Sequence, residues 1–228
     1  MGKTALEIRD LHAWHHQTPI IQNLNLCAKQ GELIALVSNC KQSQLSLLDS
    51  LLGHNPNRTG SIRIHQTEAI HLSAQHVPHL GMALSSKENG LVFGLSCEEN
   101  LLLPLADHSL GGGLSLAEIY ELFPTLKQHK DAPCTQLSPG EQQLLALARL
   151  LRTGVDIIVL HDLYRDFCPA IHPLAMTLLQ QLKQRGYTLI LNESNRPFAA
   201  TVADKMYYIQ NATAQLAQVH HQTPPISA

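Results

Sequence analysis

The sequence lacks both a long apolar run and a cluster of basic residues. Across its 228 residues, no apolar stretch approaches the roughly 18 residues that a helix needs to span a bilayer. Lysine and arginine number 16 against 18 acidic residues, which gives a formal net charge of −2. Because no run of positive charge is present, we expect no nucleic-acid partner. We also expect one globular core and no direct insertion into a membrane.

The sequence also lacks a C-x-x-C pair. Its five cysteines are scattered and are Cys27, Cys40, Cys97, Cys134 and Cys168. This spacing is typical of reduced thiols in a cytoplasmic protein, and it argues against a disulfide frame or a zinc site. The loose group of His71, His76 and His79 shows no recognised ligand spacing. The sequence therefore predicts no metal site of its own.

A strong helix start is present at Leu137–Arg152, which reads L-S-P-G-E-Q-Q-L-L-A-L-A-R-L-L-R. Ser138 suits the N-cap, Pro139 the first helical position and Glu141 the third, which together form a capping box. The residues that follow are apolar on most sides, so we predict a largely buried helix. A capped N-terminus with free N–H groups also attracts anions. The stretch therefore suits either a core helix or a phosphate contact.

The segment L-S-P-G-E-Q-Q-L-L-A-L-A-R resembles the signature motif of ATP-binding cassette (ABC) nucleotide-binding subunits, which reads L-S-G-G-[QE] before an alanine-rich helix. In that family the motif binds the γ-phosphate of ATP held by a partner subunit. The resemblance implies that Ser138, Gly140 and Glu141 contact a partner's ATP in trans. Pro139 departs from the family pattern and removes one backbone N–H from this contact.

The family's P-loop reads G-x-x-G-x-G-K-[ST] between a strand and a helix. The sequence has that context, with a turn at Gly31-Glu32, a buried strand over Leu33–Val37 and a helix over Gln44–Leu52 that ends at Gly53. The three glycine positions, however, are occupied by Ser38, Lys41 and Ser43. Glycines let the backbone approach the phosphates and turn its N–H groups inward. We therefore predict a poor phosphate cradle.

The side chains that would hold the γ-phosphate and magnesium are replaced as well. Gln44 stands where the family has its lysine, and Leu45 where it has the magnesium-binding hydroxyl. The first change loses a charge-assisted hydrogen bond of about 1.5–3 kcal/mol, and the second puts carbon where oxygen is required. The hydroxyl of Ser46 lies one position after the place of the magnesium-binding hydroxyl. Lys41 supplies a positive charge but does not replace the backbone N–H groups that hold the phosphates. We expect weak or no binding of Mg·ATP.

Later positions keep the family's spacing but not its chemistry. Gly81–Leu103 is most similar to the branch that serves branched-chain amino acids and urea, and Lys87 stands where that branch has Gln or Glu near Mg²⁺. A cation there repels Mg²⁺. His161 replaces the magnesium-binding Asp, and Asp162, at the place of the general base, is either a residual base or a strand-end residue that caps the next turn. Ser194 stands at the place of the residue that senses the γ-phosphate.

An aromatic residue near the start of the chain stacks on adenine in this family. Trp14, the only tryptophan, or His15 stands near that place. Both lie between the predicted strands Ala5–Arg9 and Ile20–Ala28, which a polar turn around residues 17–19 joins. A tryptophan that packs the β-lobe is an equal alternative.

The order of these landmarks implies an α/β fold, an ABC-type nucleotide-binding domain over residues 1–210. It predicts a P-loop NTPase-type core with a mostly parallel sheet, a small antiparallel β-lobe, a helical subdomain at about 95–152 and a loose tail over 211–228. Strand–loop–helix alternation after residue 31 predicts the parallel sheet independently. The other predicted strands are Gly60–Ile64, Val155–Leu160, Thr188–Leu191 and Met206–Ile209, and the other predicted helices are Leu116–Phe123 and Pro173–Arg185.

The family's motifs are not lost evenly along the chain. The residues that would bind and cleave the subunit's own ATP are replaced, whereas the signature segment is kept. The resemblance therefore implies a degenerate cassette subunit of an importer. It would pair with an active cassette, as a hetero- or homodimer, and dock on a transmembrane permease at the inner face of the cell membrane. Its cofactor would be the partner's Mg·ATP. The alternatives are a non-transport scaffolding or regulatory pseudo-ATPase, and an active ATPase with an atypical P-loop.

Overall fold

A lobe of antiparallel strands begins the chain in the computed structural model, which describes residues 2–86, 90–103, 110–166, 172–210 and 212–217. The long strands β1 (Thr4–His15) and β2 (Thr18–Lys29) form a hairpin. Strand β4 (Arg58–Ile64) pairs with β1, and the short β5 (Thr67–Glu68) pairs with β4. The predicted β-lobe is therefore confirmed.

The hairpin strands extend further than predicted, and the turn predicted around residues 17–19 lies slightly earlier. Thr18 pairs with His15, and Pro19 pairs with Trp14. The turn is reduced to His16 and Gln17. His16 has a φ of 55°, a left-handed conformation that allows a two-residue hairpin turn. Thr18 and Pro19 are exposed and paired at the end of the hairpin, so the polar stretch indicated the turn but placed it slightly too late.

Five parallel strands form the core of the sheet. They are β3 (Leu33–Val37), β6 (Met82–Ser85), β7 (Ile157–His161), β8 (Thr188–Glu193) and β9 (Lys205–Gln210). Their spatial order is β9-β3-β8-β7-β6, and every neighbouring pair is parallel. Strands β3 and β8 are buried along their whole length, as expected where helices cover both faces. The predicted parallel sheet is confirmed.

The loose tail predicted from residue 211 is wrong for Thr213–Ala217, which form strand β10. This strand pairs antiparallel with β9 and, through Thr213 and Gln22, parallel with β2. It thereby joins lobe and core into one ten-stranded sheet. Leu216 is 65% exposed, and the side chains that pack on the cores are the small ones of Ala214 and Ala217, so the strand is held mainly by backbone pairing. Hydrophobic alternation therefore gave no signal for it.

Of the predicted helix ends, the cap at Ser138 and the end at Gly53 are found as predicted. The bounds of the helices are α1 (Lys41–Leu52), α2 (Cys97–Leu102), α3 (Leu116–Leu122), α4 (Pro124–Gln128), α5 (Pro139–Leu151), α6 (Leu163–Asp166), α7 (His172–Gln184) and α8 (Arg196–Val202). Short 3-10 turns lie at Pro78–Leu80 and Cys134–Gln136. Helix α3 ends before Pro124 as predicted. Within the described residues, no helix is long and apolar enough to span a bilayer.

The sheet separates two apolar cores. Helix α1 and the β-lobe pack on one face, around residues such as Leu36, Leu47 and Val159. Helices α5, α7 and α8 pack on the other face, around residues such as Leu147 and Leu191. The carboxyl ends of the parallel strands meet at one edge of the sheet between these layers, which is where ligands bind in open α/β sheets.

Candidate functional site

The loop after β3 is short and closes on itself. Helix α1 begins at Lys41, three residues earlier than the predicted start at Gln44, which leaves only Ser38, Asn39 and Cys40 between strand and helix. The N–H of Cys40 donates to Ser38 Oγ at 3.1 Å, and the N–H of Gln44 donates to the Cys40 carbonyl at 3.1 Å. Because the loop has no glycine, an ordinary helical turn replaces the open cradle of a P-loop.

Gln44, at the place of the phosphate-binding lysine, points into the protein. Its side chain is 2% exposed, and Nε2 donates to the Ser38 carbonyl at 2.9 Å. The Gln44 carbonyl in turn accepts a hydrogen bond from Asn192 Nδ2 at 2.9 Å. A neutral amide therefore links the start of α1 to β3, and β8 contacts the same turn.

The side chains at the neighbouring P-loop positions differ in their exposure to solvent. Leu45 is 42% exposed, whereas Ser46 is buried. Lys41 is exposed and Ser43 is half-buried. At the position where the family has its magnesium-binding hydroxyl, this turn therefore presents the carbon side chain of Leu45 to solvent.

Cys40, which the sequence did not single out, is an exposed thiol just before α1. Hydrogen bonding from the Ser43 side chain, followed by the backbone N–H groups of Ser43 and Gln42, lowers its pKa below the usual thiol value. A cysteine directly before a helix was the available sequence signal.

We predict that alkylation of Cys40 by iodoacetamide has a pH midpoint below that of an ordinary thiol. A lowered pKa means that the thiolate, the reactive form, persists to lower pH. Replacing Ser43 with Ala should move the midpoint upward, whereas Ser50→Ala, which lies about two helical turns further along, should leave it unchanged. Peptide mass spectrometry across a pH series measures both, and an unchanged midpoint in Ser43→Ala would contradict the assignment.

At the end of β7, Asp162 is buried and tied to its neighbours. Oδ2 forms an ion pair with Arg165 Nη1 at 3.0 Å, and Oδ1 accepts from Ser194 Oγ at 3.4 Å. Its φ is 45°, a left-handed conformation that is uncommon for Asp. The Arg165 N–H also donates to the Asp162 carbonyl at 3.2 Å. These contacts favour the strand-end role, while the residual-base role stays a prediction.

Glu193 is a site residue that the sequence reasoning missed. It is buried at the end of β8, where Oε1 accepts from the N–H groups of Ser194 and Asn195 at 2.9 and 3.0 Å. Its Oε2 accepts from the N–H of Tyr164 at 3.1 Å. The carboxylate thus fixes Ser194 to the loop after β7. A charged residue at the end of an apolar strand was the signal that could have identified it.

The signature helix has the predicted cap. Ser138 Oγ accepts from the N–H of Glu141 at 3.3 Å, and Glu141 Oε2 accepts from Ser138 N at 2.8 Å, so the capping box is confirmed. Burial raises the pKa of the Glu141 carboxyl, but hydrogen bonds from Ser138 and the nearby His129 together hold it below its usual value. Ser138 itself is exposed. The helix therefore presents a rigid N-terminus to solvent.

An apolar groove lies beside the edge strand β6. Its volume is about 310 Å³. Apolar side chains from the end of α1, from β6 and from the end of α5 line it, among them Leu52, Leu84 and Leu150. His54, Ser86 and Thr153 contribute polar atoms. The groove therefore borders the chain segment that leads to residue 87.

The family model described as "ABC transporter" matches residues 21–162. The chain belongs to the ABC transporter family. This cassette has the fold of MJ1267, an ATP-binding cassette of an ABC transporter solved in its ADP conformation, with a TM-score of 0.79 and 15% identity over 93% of this chain and 89% of that one. The dimeric post-hydrolysis structure of the ATP-binding cassette MJ0796, bound to ADP and Pi, gives a TM-score of 0.77 and 18% identity over 94% of this chain and 99% of that one.

Two curated relatives are similar to this cassette in sequence. The high-affinity branched-chain amino acid transport ATP-binding protein BraG of Pseudomonas aeruginosa is 25% identical over 90% of this chain and 89% of its own length. The ribose import ATP-binding protein RbsA of Bacillus licheniformis is 23% identical over 93% of this chain, which spans only 44% of that protein. The first agrees with the branch that Gly81–Leu103 resembles.

Within the cassette, His15 and not Trp14 lies on the P-loop side. His15 lines a cavity of about 450 Å³ together with Cys40, Gln42 and Ser43. Trp14 lines a neighbouring cavity of about 250 Å³ with Ser46, which His15 also borders, and the Trp14 ring stacks on His12. The geometry favours the packing role for Trp14 and leaves adenine stacking by His15 a prediction. Lys87 lies outside the described residues.

Proposed function

We propose that this chain is the cassette subunit of an importer that does not hold Mg·ATP in its own site and that completes a partner cassette's ATP site with Ser138 and Gly140. The observation that carries the proposal is a contrast between two helix starts. At α1 the Gln44 amide closes the turn onto the Ser38 carbonyl. At α5 the N-cap is fully formed and exposed.

The closed turn supports the first half of the proposal. Phosphate oxygens need backbone N–H groups that converge on the ligand from an open loop. Here the N–H groups of Cys40 and Gln44 donate to Ser38 Oγ and the Cys40 carbonyl. The Gln44 amide carries no charge and is already bonded to Ser38. The residues present therefore do not fit a triphosphate.

The magnesium side of the site is equally unsuited. Mg²⁺ requires hard oxygen ligands in octahedral geometry. Leu45 presents carbon, and His161 has a buried Nδ1 that finds no partner among the described residues. The one carboxylate at the place of the base, that of Asp162, is engaged by Arg165. Among the described residues at these positions, none replaces the lost magnesium ligands.

The N-terminus of α5 supports the second half of the proposal, which is the contact with a partner's ATP. The N-terminus of α5 carries a partial positive charge, and its cap holds the Ser138 hydroxyl in place. Such an end suits the γ-phosphate of a nucleotide held by a neighbour. Pro139 lacks an N–H, so the contact has fewer donors than in the family pattern.

The partners follow from the family and from the relatives' functions. A second, active cassette would supply the ATP, so the working assembly is a heterodimer. A permease would seat a cytoplasmic segment in the apolar groove beside β6, which holds the subunit at the inner face of the cell membrane. The names of BraG and RbsA favour import of a small nutrient.

We predict that the isolated protein binds Mg·ATP no more tightly than about 1 mM, equivalent to roughly −4 kcal/mol, and does not hydrolyse it. The reason is the loss of the charged lysine at Gln44 and of the hydroxyl at Leu45. Isothermal titration calorimetry with Mg·ATP measures the affinity. A micromolar dissociation constant, together with hydrolysis that Asp162→Asn abolishes, would favour instead an active ATPase with an atypical P-loop.

A further inference from the structure

A groove lies at the amino ends of the parallel strands. It consists of two cavities of about 410 and 400 Å³, within the range of roughly 300–1,000 Å³ that small-molecule sites occupy. Gln30, Gly154 and Asp156 line both cavities, so the cavities meet at these residues. Gly81, just before β6, lines the first cavity, and Tyr187, just before β8, lines the second. The P-loop lies at the carboxyl end of β3, so the groove and the candidate site are on opposite edges of the sheet.

A run of three glycines that starts at Gly111 forms one wall of the groove. The N–H of Leu110 donates to the Thr153 carbonyl at 2.8 Å, just after the end of α5. A Cβ at Gly154 would lie 2.2 Å from the carbonyl oxygen of Gly111, so the two backbones touch. Gly111 and Gly112 have left-handed φ values of 76° and 75°, and both line the groove. The wall is therefore preformed and offers bare backbone to a ligand.

Asp156 is the only carboxylate among the described residues that line the two cavities. Its Oδ1 is 2.9 Å from Nε2 of His65, which holds the carboxylate in one orientation. Gly81 makes room for this oxygen, because a Cβ there would lie 2.6 Å from it. Oδ2 makes no hydrogen bond within the part of the chain that the structure describes, and the side chain is 39% exposed. This oxygen is therefore available to a cation in the groove.

Groups that bind anions lie on both sides of Asp156. Arg185 and Tyr187 line the second cavity with it, and Lys3 lines the first. The Arg185 guanidinium lies 3.8 Å from Glu118, a surface contact that contributes little and leaves the cation able to bind an anion. Burial raises the pKa of Tyr187, so its hydroxyl remains a donor at neutral pH. The second cavity therefore offers both a carboxylate and a cation with a hydroxyl.

Apolar side chains complete the walls of both cavities. Leu114 and Val155 line the second cavity, while Leu80 and Leu110 line the first. Buried charges of a ligand need opposite charges in the site, and its apolar part needs apolar walls. A ligand that matches this groove therefore carries one ammonium, one carboxylate and an apolar side chain.

We propose that the groove binds a free α-amino acid with an apolar side chain, whose ammonium contacts Asp156 and whose carboxylate contacts Arg185 and Tyr187. The inference goes beyond the proposed function, because the groove shares no residue with the first turn of α1 or with the N-cap Ser138. The bound amino acid bridges the turn before β3, the glycine run and the starts of β7 and β8. Because it binds the folded state, it stabilises the protein.

The test uses the isolated full-length protein with L-leucine as the probe. Leucine at about ten times its dissociation constant should raise the melting temperature by about 3–6 °C. Isothermal titration calorimetry should show one molecule bound per chain. Two analogues that each lack one charge, 3-methylbutylamine and 4-methylpentanoate, should each bind at least about tenfold more weakly than leucine, since each leaves one charged group of the site unpaired.

Two variants separate ligand contact from a structural role. Arg185→Gln should lower the affinity for leucine about tenfold and leave that for 3-methylbutylamine unchanged, because the amine has no carboxylate to lose. Asp156→Asn should lower the affinity for leucine by a similar factor and leave that for 4-methylpentanoate unchanged. The matched controls are Arg63→Gln and Asp131→Asn, which change exposed residues outside the groove and should bind leucine normally.

A lack of leucine binding at millimolar concentrations would overturn the proposal, and so would equal affinity for leucine and its two analogues. Equal loss of all three compounds in both variants would show a merely structural role and overturn it as well. If Asp156→Asn does not fold, Arg185→Gln decides alone, since the Arg185 side chain makes only the surface contact with Glu118. Calorimetry with Mg·ATP on the same sample tests the proposed function separately, so either can fail while the other stands.

Discussion

Replacing Ser138 with Arg is expected to lower ATP turnover of the assembled complex by about 100- to 1,000-fold, the range seen when one transition-state donor is lost. The exposed N-cap places the Ser138 hydroxyl and the positive end of α5 where a partner's γ-phosphate would lie. An arginine there removes the hydroxyl and fills the space with a long side chain. The complex should still assemble, because Ser138 packs against no core residue.

The matched control is Ser115→Arg. Ser115 forms the same capping box with Glu118 at the start of α3, so the variant loses an equivalent cap of about 1 kcal/mol at a different helix. Turnover should be normal in that variant. Size-exclusion chromatography reports assembly, and a coupled assay reports hydrolysis. Equal hydrolysis by the Ser138→Arg complex would favour the alternative reading, a pseudo-ATPase that only scaffolds its partners.

Rebuilding the P-loop is expected to create nucleotide binding without turnover. The variant changes Ser38, Lys41 and Ser43 to Gly, Gln44 to Lys and Leu45 to Ser. It removes the bond from Gln44 to Ser38 and lets the first turn of α1 open into a cradle. A shift from millimolar to micromolar affinity, a gain of about 4 kcal/mol, is expected. Calorimetry with Mg·ATP measures the gain.

The absence of turnover has a separate cause, because His161 and Ser194 would still leave Mg²⁺ and the γ-phosphate poorly held. The control keeps Gln44 and makes the other four changes. It should still fail to bind, since the amide can continue to occupy the Ser38 carbonyl. Multiple-turnover hydrolysis by the five-residue variant would show that the positions beyond the P-loop are adequate.

Local signals predicted the fold where a short segment determines its own structure. The capping box at Ser138 and the end of α3 before Pro124 are examples, because the residues that bond are three or four positions apart. Strand β10 escaped prediction because its partners, β2 and β9, supply backbone bonds that leave no trace in its own side chains.

The sequence predicted the main property of the candidate site, which is that it lacks the groups that bind Mg·ATP in the family. The sequence showed that Gln44 replaces the family's lysine, but it did not show where the Gln44 side chain lies in the fold. The sequence could not show that the amide turns inward to Ser38 or that Asn192, from a distant strand, bonds the same turn. Glu193 was missed for the same reason, since its role depends on an N–H group of α6 and on N–H groups that follow β8.

The position of β10 also bears on how the chain folds. The β-lobe pairs strands from the first 68 residues, and the parallel core spans residues 33 to 210. Among the strands of the described residues, the one that lies between β2 and β9 is made last. On the ribosome, the lobe can therefore fold early while its β2 edge waits unpaired for the rest of the chain. Contacts of such long sequence separation form slowly, and an open strand edge invites pairing with other chains. We therefore expect the β2 edge of the nascent chain to be open to wrong pairing until β10 enters the sheet.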